Sequence, residues 1–128
     1  MVIEIDFNSD EAIYIQLRNR IIMGIATAEL SAGDSLPSVR QLAEYVGINM
    51  HTVNKAYTVL RQDGYIKLDR RKGAVIAIEQ NNELAARQVS DMLQAVLAEA
   101  VCKNLSKDDI HNMVDRIYDS FGESQKQE

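Results

Sequence analysis

With 128 residues, of which 46% are hydrophobic and 26% charged, the chain suits one globular domain or a small domain with an appended segment. One cysteine and two histidines exclude a disulfide framework and a cysteine-cluster zinc site, and no apolar run approaches the roughly 18 residues of a membrane span. We therefore expect a cytoplasmic protein with no cofactor and no membrane partner. The formal net charge of −5 argues, at first, against binding to nucleic acid.

The N-terminal third predicts one helix. Residues 2–7 alternate partly with a period of two, which indicates a short extended segment or an edge strand. A helix follows over residues 11–28, and residues 31–34 are predicted to form a turn. The apolar stripe of this first helix consists of Ile13, Tyr14, Leu17, Ile21 and Ile25.

The middle of the chain predicts two helices joined by a short turn. Residues 38–41 fit a capping box that begins a short second helix, and Gly47 suits the left-handed position that ends it. Asn49 can cap a third helix over residues 50–63. This arrangement is a helix-turn-helix, whose second helix enters the major groove of DNA. The core-facing residues of the third helix are Val53, Ala56, Tyr57 and Leu60.

A basic hairpin is predicted directly after the third helix. The short apolar runs 65–68 and 74–78 flank the residues Asp69, Arg70, Arg71, Lys72 and Gly73. Gly73 can adopt a positive φ, which a tight hairpin turn requires. A hairpin in this place corresponds to the wing of a winged helix-turn-helix.

The C-terminal part predicts two amphipathic helices, residues 82–103 and 107–121, followed by a polar, frayed tail over 122–128. Ser106 and Asp109 can cap the second of them. Their apolar faces either fold back on the winged domain or meet a second copy, and we favour dimerisation because the winged domain has its own core. The residues predicted for the dimer interface are Val89, Met92, Leu93, Val96, Val101 and Ile117.

The charge is unevenly distributed along the chain. Residues 1–34 carry a net charge of −4, residues 35–78 a net charge of +4, and residues 79–128 a net charge of −5. The basic segment coincides with the helix-turn-helix and the wing, although counts this small also fluctuate by chance. Because a local patch is sufficient to bind a polyanion, the acidic total does not exclude DNA.

Residues 33–43 read Gly-Asp-Ser-Leu-Pro-Ser-Val-Arg-Gln-Leu-Ala, which resembles the signature of the GntR family of bacterial transcription regulators. The similarity extends over residues 11–78, and the short C-terminal part resembles the YtrA subfamily. The resemblance implies a mainly α (α+β) fold, a winged helix-turn-helix followed by a two-helix dimerisation segment. It also implies a dimer on a roughly palindromic operator. Further matched positions are Gly47, Ile48, Thr52, Val53, Ala56, Tyr57, Leu60, Gly64, Tyr65, Ile66 and Gly73.

The resemblance also implies which residues meet DNA: the arginine at position 40, the start of the recognition helix and the wing tip. Helix N-termini at Ser38 and Asn49 suit phosphate oxygens, and Lys55 lies on the exposed face of the third helix. Many relatives carry Pro-Asn in place of Met50 and His51, and often a glycine in place of Arg71. The predicted DNA-contacting residues are Ser38, Arg40, Asn49, Met50, His51, Thr52, Asn54, Lys55, Arg70, Arg71, Lys72 and Gly73.

We therefore expect residues 1–79 to form the DNA-binding domain and residues 80–121 the dimerisation segment of a sequence-specific, homodimeric repressor. The alternative is a winged-helix module that binds a partner protein without specific DNA binding; Arg40 and the basic wing argue against it. The sequence carries no nucleophile–base pair or phosphate-binding glycine loop, so we expect no enzyme. A small-molecule effector between subunits is left open, since no residue points to one.

Overall fold

The computed structural model describes residues 2–78 and 82–126. In chain order, it contains helices α1 (Ile13–Ala26), α2 (Val39–Val46) and α3 (Met50–Gln62), strands β1 (Ile66–Asp69) and β2 (Gly73–Ile76), and helices α4 (Asn82–Cys102) and α5 (Lys107–Lys126). The chain divides into two compact units, residues 1–79 and 80–128. None of the helices in the described ranges combines the length and the apolar character that crossing a membrane requires.

In the first unit, α3 packs against both α1 and α2. Its apolar residues repeat at intervals of three and four, so they form one stripe that faces the core. Val53 and Leu60 on this stripe are fully buried, as are Leu17 and Ile21 of α1 and Ile76 of β2. Burying this stripe leaves the opposite face of α3 in solvent, where the predicted recognition residues lie.

The wing is a two-stranded antiparallel sheet in which Ile66 pairs with Ile76 and Asp69 with Gly73. Its β2 strand is also paired on its other side, by the segment that leads into α2. The Leu36 N–H donates to the Ala74 carbonyl, and the Ile76 N–H donates to the Asp34 carbonyl, each at 2.8 Å. The wing is therefore attached through its backbone to the chain that begins α2.

Residues 2–7 do not form a strand, so the edge-strand alternative is wrong. They lie against α1 instead: the Arg20 Nε donates to the Val2 carbonyl at 2.9 Å, and the Gln16 Nε2 to the Asp6 carbonyl at 3.0 Å. Ile3 joins the core, whereas Phe7, which a period-two alternation would place on the same side as Ile3, is exposed. The backbone carbonyls of this segment therefore accept hydrogen bonds from side chains of α1, and not from a neighbouring strand.

The second unit consists of α4 and α5. The Ser106 hydroxyl accepts from the Asp109 N–H at 3.0 Å, and the Asp109 carboxylate accepts from the Ser106 N–H at 2.9 Å, as the predicted cap requires. The prediction of a frayed tail from residue 122 is wrong as far as Lys126, because α5 continues to that residue. Residues 122–126 include no proline, and a single glycine such as Gly122 does not end a helix. Residues 127–128 lie outside the described part.

Candidate nucleic-acid interface

The first turn of α2 is held by a reciprocal cap. The Ser38 hydroxyl accepts from the Gln41 N–H at 3.1 Å, while the Gln41 side-chain oxygen accepts from the Ser38 N–H at 3.0 Å. The predicted capping box is therefore confirmed. Arg40 stands within this turn, and its side chain is exposed. The cap thus determines where the Arg40 backbone lies and leaves its guanidinium in solvent.

The turn between α2 and α3 depends on one glycine. Gly47 has a φ of +81° and open space around its Cα, so the backbone conformation, rather than crowding, selects glycine here. The Ile48 N–H donates to the Ala43 carbonyl at 3.0 Å. Asn49 then caps α3, with its side-chain oxygen accepting from the His51 N–H at 2.7 Å. Because of these local interactions, only three residues separate the end of α2 from the start of α3.

A buried tyrosine links α3 to the entry of α2. The Tyr57 hydroxyl donates to the Pro37 carbonyl at 2.7 Å, and the side chain is 7% exposed. Burial raises the pKa of the Tyr57 phenol far above its ordinary value, so the hydroxyl remains a donor. Tyr57 therefore stabilises the packing of α3 against the start of α2.

Replacing Tyr57 by phenylalanine is expected to lower the free energy of unfolding by about 0.5–1.5 kcal/mol, the usual net contribution of one hydrogen bond. The ring keeps its packing, and only the bond to Pro37 is lost. Urea denaturation followed by circular dichroism measures the change. Tyr45→Phe, at a side chain that is 67% exposed, is the matched control and should be neutral. Equal stability of both variants would show that the Pro37 bond contributes nothing.

Three open clefts surround the exposed face of α3. The first, about 350 Å³, lies between α3, the start of α2 and the wing. The second, about 600 Å³, surrounds the N-terminus of α3, and the third, about 390 Å³, lies between α3 and the start of α1. The clefts show that the two edges of α3 face different elements of the fold.

These clefts bring most of the predicted recognition residues together. Predicted residues lining the first cleft are Ser38, Asn54, Lys72 and Gly73. Those lining the second are Asn49, Met50, His51 and Asn54. Those lining the third are His51, Thr52 and Lys55. The side chains of Arg40, Arg70 and Arg71 are exposed, but they line none of the three clefts. In the sequence, each of them is close to residues that do.

Lys55 is held on the α1 side of the recognition helix. Its Nζ lies 4.1 Å from the centroid of the Tyr14 ring, within the range of a cation–π contact. Since Tyr14 belongs to α1, this contact directs the Lys55 ammonium away from the wing. Lys55 and the wing cations therefore occupy opposite edges of the interface.

The first cleft also contains polar side chains, those of Gln41 and Arg61, that were not selected from the sequence. They line it together with Thr58, whose place opposite the core face of the third helix and whose hydroxyl already made it a candidate for reading bases. Arg61 lies three positions after Thr58 and seven after Asn54, on the same side of the helix, so the helical spacing is the signal that would have found it. Gln41 reaches the cleft from its position in the cap of α2.

The wing tip has Arg71 at the position where the family resemblance suggested a glycine. Among the described residues of the tip, only Gly73 has a positive φ, +75°, so Arg71 adopts an ordinary backbone conformation. The Asp69 carboxylate accepts hydrogen bonds from the N–H groups of Arg71, at 2.8 Å, and Lys72, at 3.0 Å. These bonds, that of Arg71 first, hold the pKa of the Asp69 carboxyl below its usual range.

Three cations of this surface, Arg40, Lys55 and Lys72, form no ion pair within residues 2–78. Arg18 forms an ion pair with Asp63 at 3.4 Å, at the far end of α3 from its recognition residues. Among residues 2–78, no carboxylate oxygen lies within 4.0 Å of a side-chain nitrogen of Arg40, Lys55 or Lys72. In the described part of the chain, no three histidine, cysteine or acidic residues are grouped to hold a metal. The geometry is suited to an extended anion.

Comparison with known families agrees with this architecture. The sequence profile described as "Bacterial regulatory proteins, gntR family" matches residues 10–76, more than half of the chain. The chain belongs to the GntR family. It is thus a DNA-binding transcriptional regulator of the GntR type, and the predicted family and winged helix-turn-helix fold are confirmed.

Individual relatives extend the similarity into the C-terminal helices of this GntR protein. It is 28% identical over 119 residues to the "HTH-type transcriptional repressor YtrA" of Bacillus subtilis (strain 168), covering 91% of this chain and 92% of the relative. It is 37% identical to the solved structure of "YtrA from Sulfolobus acidocaldarius, a GntR-family transcription factor", with a TM-score of 0.67 over 80% of this chain and 99% of that one. The "Transcriptional Antiterminator from Listeria monocytogenes EGD-e" is 25% identical, with a TM-score of 0.80 over 94% of this chain and 92% of that one.

Proposed function

We propose that this protein is a homodimeric repressor that binds a roughly palindromic operator in bacterial DNA, in the cytoplasm, and performs no enzymatic reaction. The observation that carries the proposal is the convergence of the first turn of α2, the exposed face of α3 and the wing around neighbouring clefts, with cations that lack carboxylate partners in this unit. An operator occupied in this way blocks RNA polymerase.

In this proposal, each element has a separate task. The N-terminal half of α3 reads base edges in the major groove through Asn49, Met50, His51, Thr52 and Asn54. Lys55, from one edge, and Ser38, from the other, contact the phosphates that border the groove. The wing tip, residues 70–73, lies at the minor groove, where closely spaced cations are favoured by the negative potential.

The second unit supplies the dimer interface. Several large apolar side chains of α4 and α5 are exposed in the single chain. The exposed fraction is 63% for Met92, 56% for Val96 and 52% for Ile117. A face of this kind marks an interaction surface, and a second copy covers it by two-fold symmetry. Residues 1–79 then serve as the DNA-binding domain and residues 80–121 set the spacing of the two half-sites. The remaining interface residues are Val89, Leu93 and Val101.

The decisive experiment is a titration of the purified protein into labelled DNA from upstream of its own gene, at several salt concentrations, with scrambled DNA as the control. We expect tight, sequence-selective binding of two chains per site, and an affinity that falls steeply with salt because phosphate contacts release counterions. Absence of binding to either DNA at low salt would contradict the proposal and favour a winged-helix module that binds another protein.

Arg40→Ala is expected to weaken operator binding by about 1–3 kcal/mol if the guanidinium contacts a base, since a bidentate base contact contributes that much. Folding should be unaffected, because Arg40 is exposed and the Ser38–Gln41 cap does not involve its side chain. Arg87→Ala on α4 removes one exposed arginine from the other unit and is the matched control. Operator affinities measured by fluorescence anisotropy decide the matter; equal values for both variants would remove Arg40 from the interface.

A further inference from the structure

The wing tip carries three consecutive cations, Arg70, Arg71 and Lys72, in a loop of three residues. The loop is closed by the pairing of Asp69 with Gly73, and Gly73 has a φ of +75°. A left-handed glycine directly after a short hairpin turn is a common geometry. Mutual repulsion of three like charges nevertheless favours open conformations of so short a loop.

Asp69 provides an interaction that opposes this opening. One oxygen of its carboxylate, Oδ1, accepts both the Arg71 N–H and the Lys72 N–H, at 2.8 and 3.0 Å. The side chain therefore satisfies two backbone donors at the tip. These bonds bind the loop backbone and leave the three cationic side chains exposed.

The charge of Asp69 has the opposite effect on the proposed partner. A carboxylate beside three cations lowers the positive potential that a phosphate backbone meets. On charge alone, removing Asp69 would strengthen DNA binding. If only the hydrogen bonds mattered, removing Asp69 would let the wing tip open. Binding to DNA would then have to order the tip again, which lowers the affinity.

We propose that Asp69 is a positioning residue of the DNA-binding wing, which holds the backbone of Arg71 and Lys72 in the conformation that meets DNA. This inference rests on the proposed function in assigning the wing to DNA. Its claim is that the acceptor oxygen of Asp69 favours binding while its charge opposes binding.

Two variants separate the oxygen from the charge. Asp69→Asn removes the charge but keeps one carbonyl oxygen, which is sufficient because both bonds use Oδ1. Asp69→Ala removes both. We expect Asp69→Asn to bind the operator about two- to fivefold more tightly than the wild type at low salt. We expect Asp69→Ala to bind about three- to tenfold more weakly than Asp69→Asn, with a flatter dependence on salt.

Glu44→Gln on α2 is the control for net charge, since it removes an exposed carboxylate of the same unit that does not belong to the wing. All variants should have the wild-type urea midpoint, because the substitutions are in exposed or half-exposed positions. Equal operator affinities of Asp69→Ala and Asp69→Asn would overturn the inference.

Amide hydrogen exchange tests the positioning without DNA. The Arg71 and Lys72 amides should exchange several times faster in Asp69→Ala than in the wild type, whereas Asp69→Asn should restore their protection. Unchanged exchange in Asp69→Ala would overturn the inference even if the wild type binds its operator. If instead the wild type shows no selective DNA binding, the proposed function fails, and the exchange measurement still decides whether Asp69 holds the loop.

Discussion

Replacing Val96 by glutamate is expected to convert the proposed dimer into monomers and to lower operator affinity by about two orders of magnitude or more. Val96 is 56% exposed in the single chain. It lies one helical turn after Met92 and Leu93, which are 63% and 46% exposed, on the same face of α4. In a two-fold interface the substitution places two carboxylates in an apolar environment, where an unpaired charge is costly.

The loss of operator affinity follows from the linkage of the two DNA-binding domains. In a dimer, binding of one half-site makes the second binding event intramolecular, and this effective concentration raises affinity by about 10²–10⁴. Monomers must occupy the half-sites independently. The loss should therefore appear as single-chain occupancy of DNA, with the secondary structure of the variant unchanged.

Sedimentation equilibrium and operator titration measure both effects. Gln94→Glu is the matched control, because it introduces the same charge on the side of α4 opposite to Val96 and should leave two chains per particle. A Val96→Glu variant that still sediments as a dimer would place the interface elsewhere. A wild type that is monomeric, and a variant that only loses stability, would support packing of these helices within one chain.

Replacing Arg70, Arg71 and Lys72 together by alanine is expected to weaken operator binding strongly and to flatten its dependence on salt. Each phosphate neutralised by a cation contributes about 0.9 to the slope of log affinity against log salt. If all three cations meet phosphates, the slope therefore decreases in magnitude by about 2.7. The effect on folding should be small, because all three side chains are exposed.

The same titration at several salt concentrations gives the slope for each variant. The control replaces Arg87, Lys103 and Arg116 by alanine, which removes three exposed cations from the second unit and changes the net charge equally. That control should lower the affinity slightly and leave the slope nearly unchanged. An unchanged slope in the wing variant would show that the wing does not contact the DNA backbone.

The sequence was sufficient for the elements whose stabilising interactions are local. The Ser38–Gln41 cap, the Asn49 cap, the Gly47 turn and the Ser106–Asp109 cap each connect residues within four positions of one another or depend on one residue's backbone preference. Such interactions leave a readable spacing in the sequence. The matched positions of the GntR signature lie in the same elements, so the family was also identifiable.

Predictions failed where a distant partner decided the conformation. Residues 2–7 have the alternation of a strand, but α1 supplies side-chain partners to their backbone, and no neighbouring strand is present within the described ranges. The predicted turn at residues 31–34 is present, but the sequence did not indicate that residues 33–36 also pair with β2, some forty positions later in the chain. No local pattern encodes a hydrogen bond to a segment that far away.

By itself, the sequence determined the order of the elements, the core-facing stripe of α3, the basic character of residues 35–78 and the family. The tertiary structure alone decided how the exposed face of α3 is divided: Asn54, Thr58 and Arg61 face the wing, while His51, Thr52 and Lys55 face α1. A helical wheel shows that these side chains are exposed, but their neighbours come from other elements of the fold. Tyr14 of α1 lies 41 positions before Lys55, and Lys72 of the wing lies 18 positions after Asn54. Only the packing of the chain brings those segments together. It thereby determines that Arg61 lies on the wing edge of the recognition helix and Lys55 on the α1 edge.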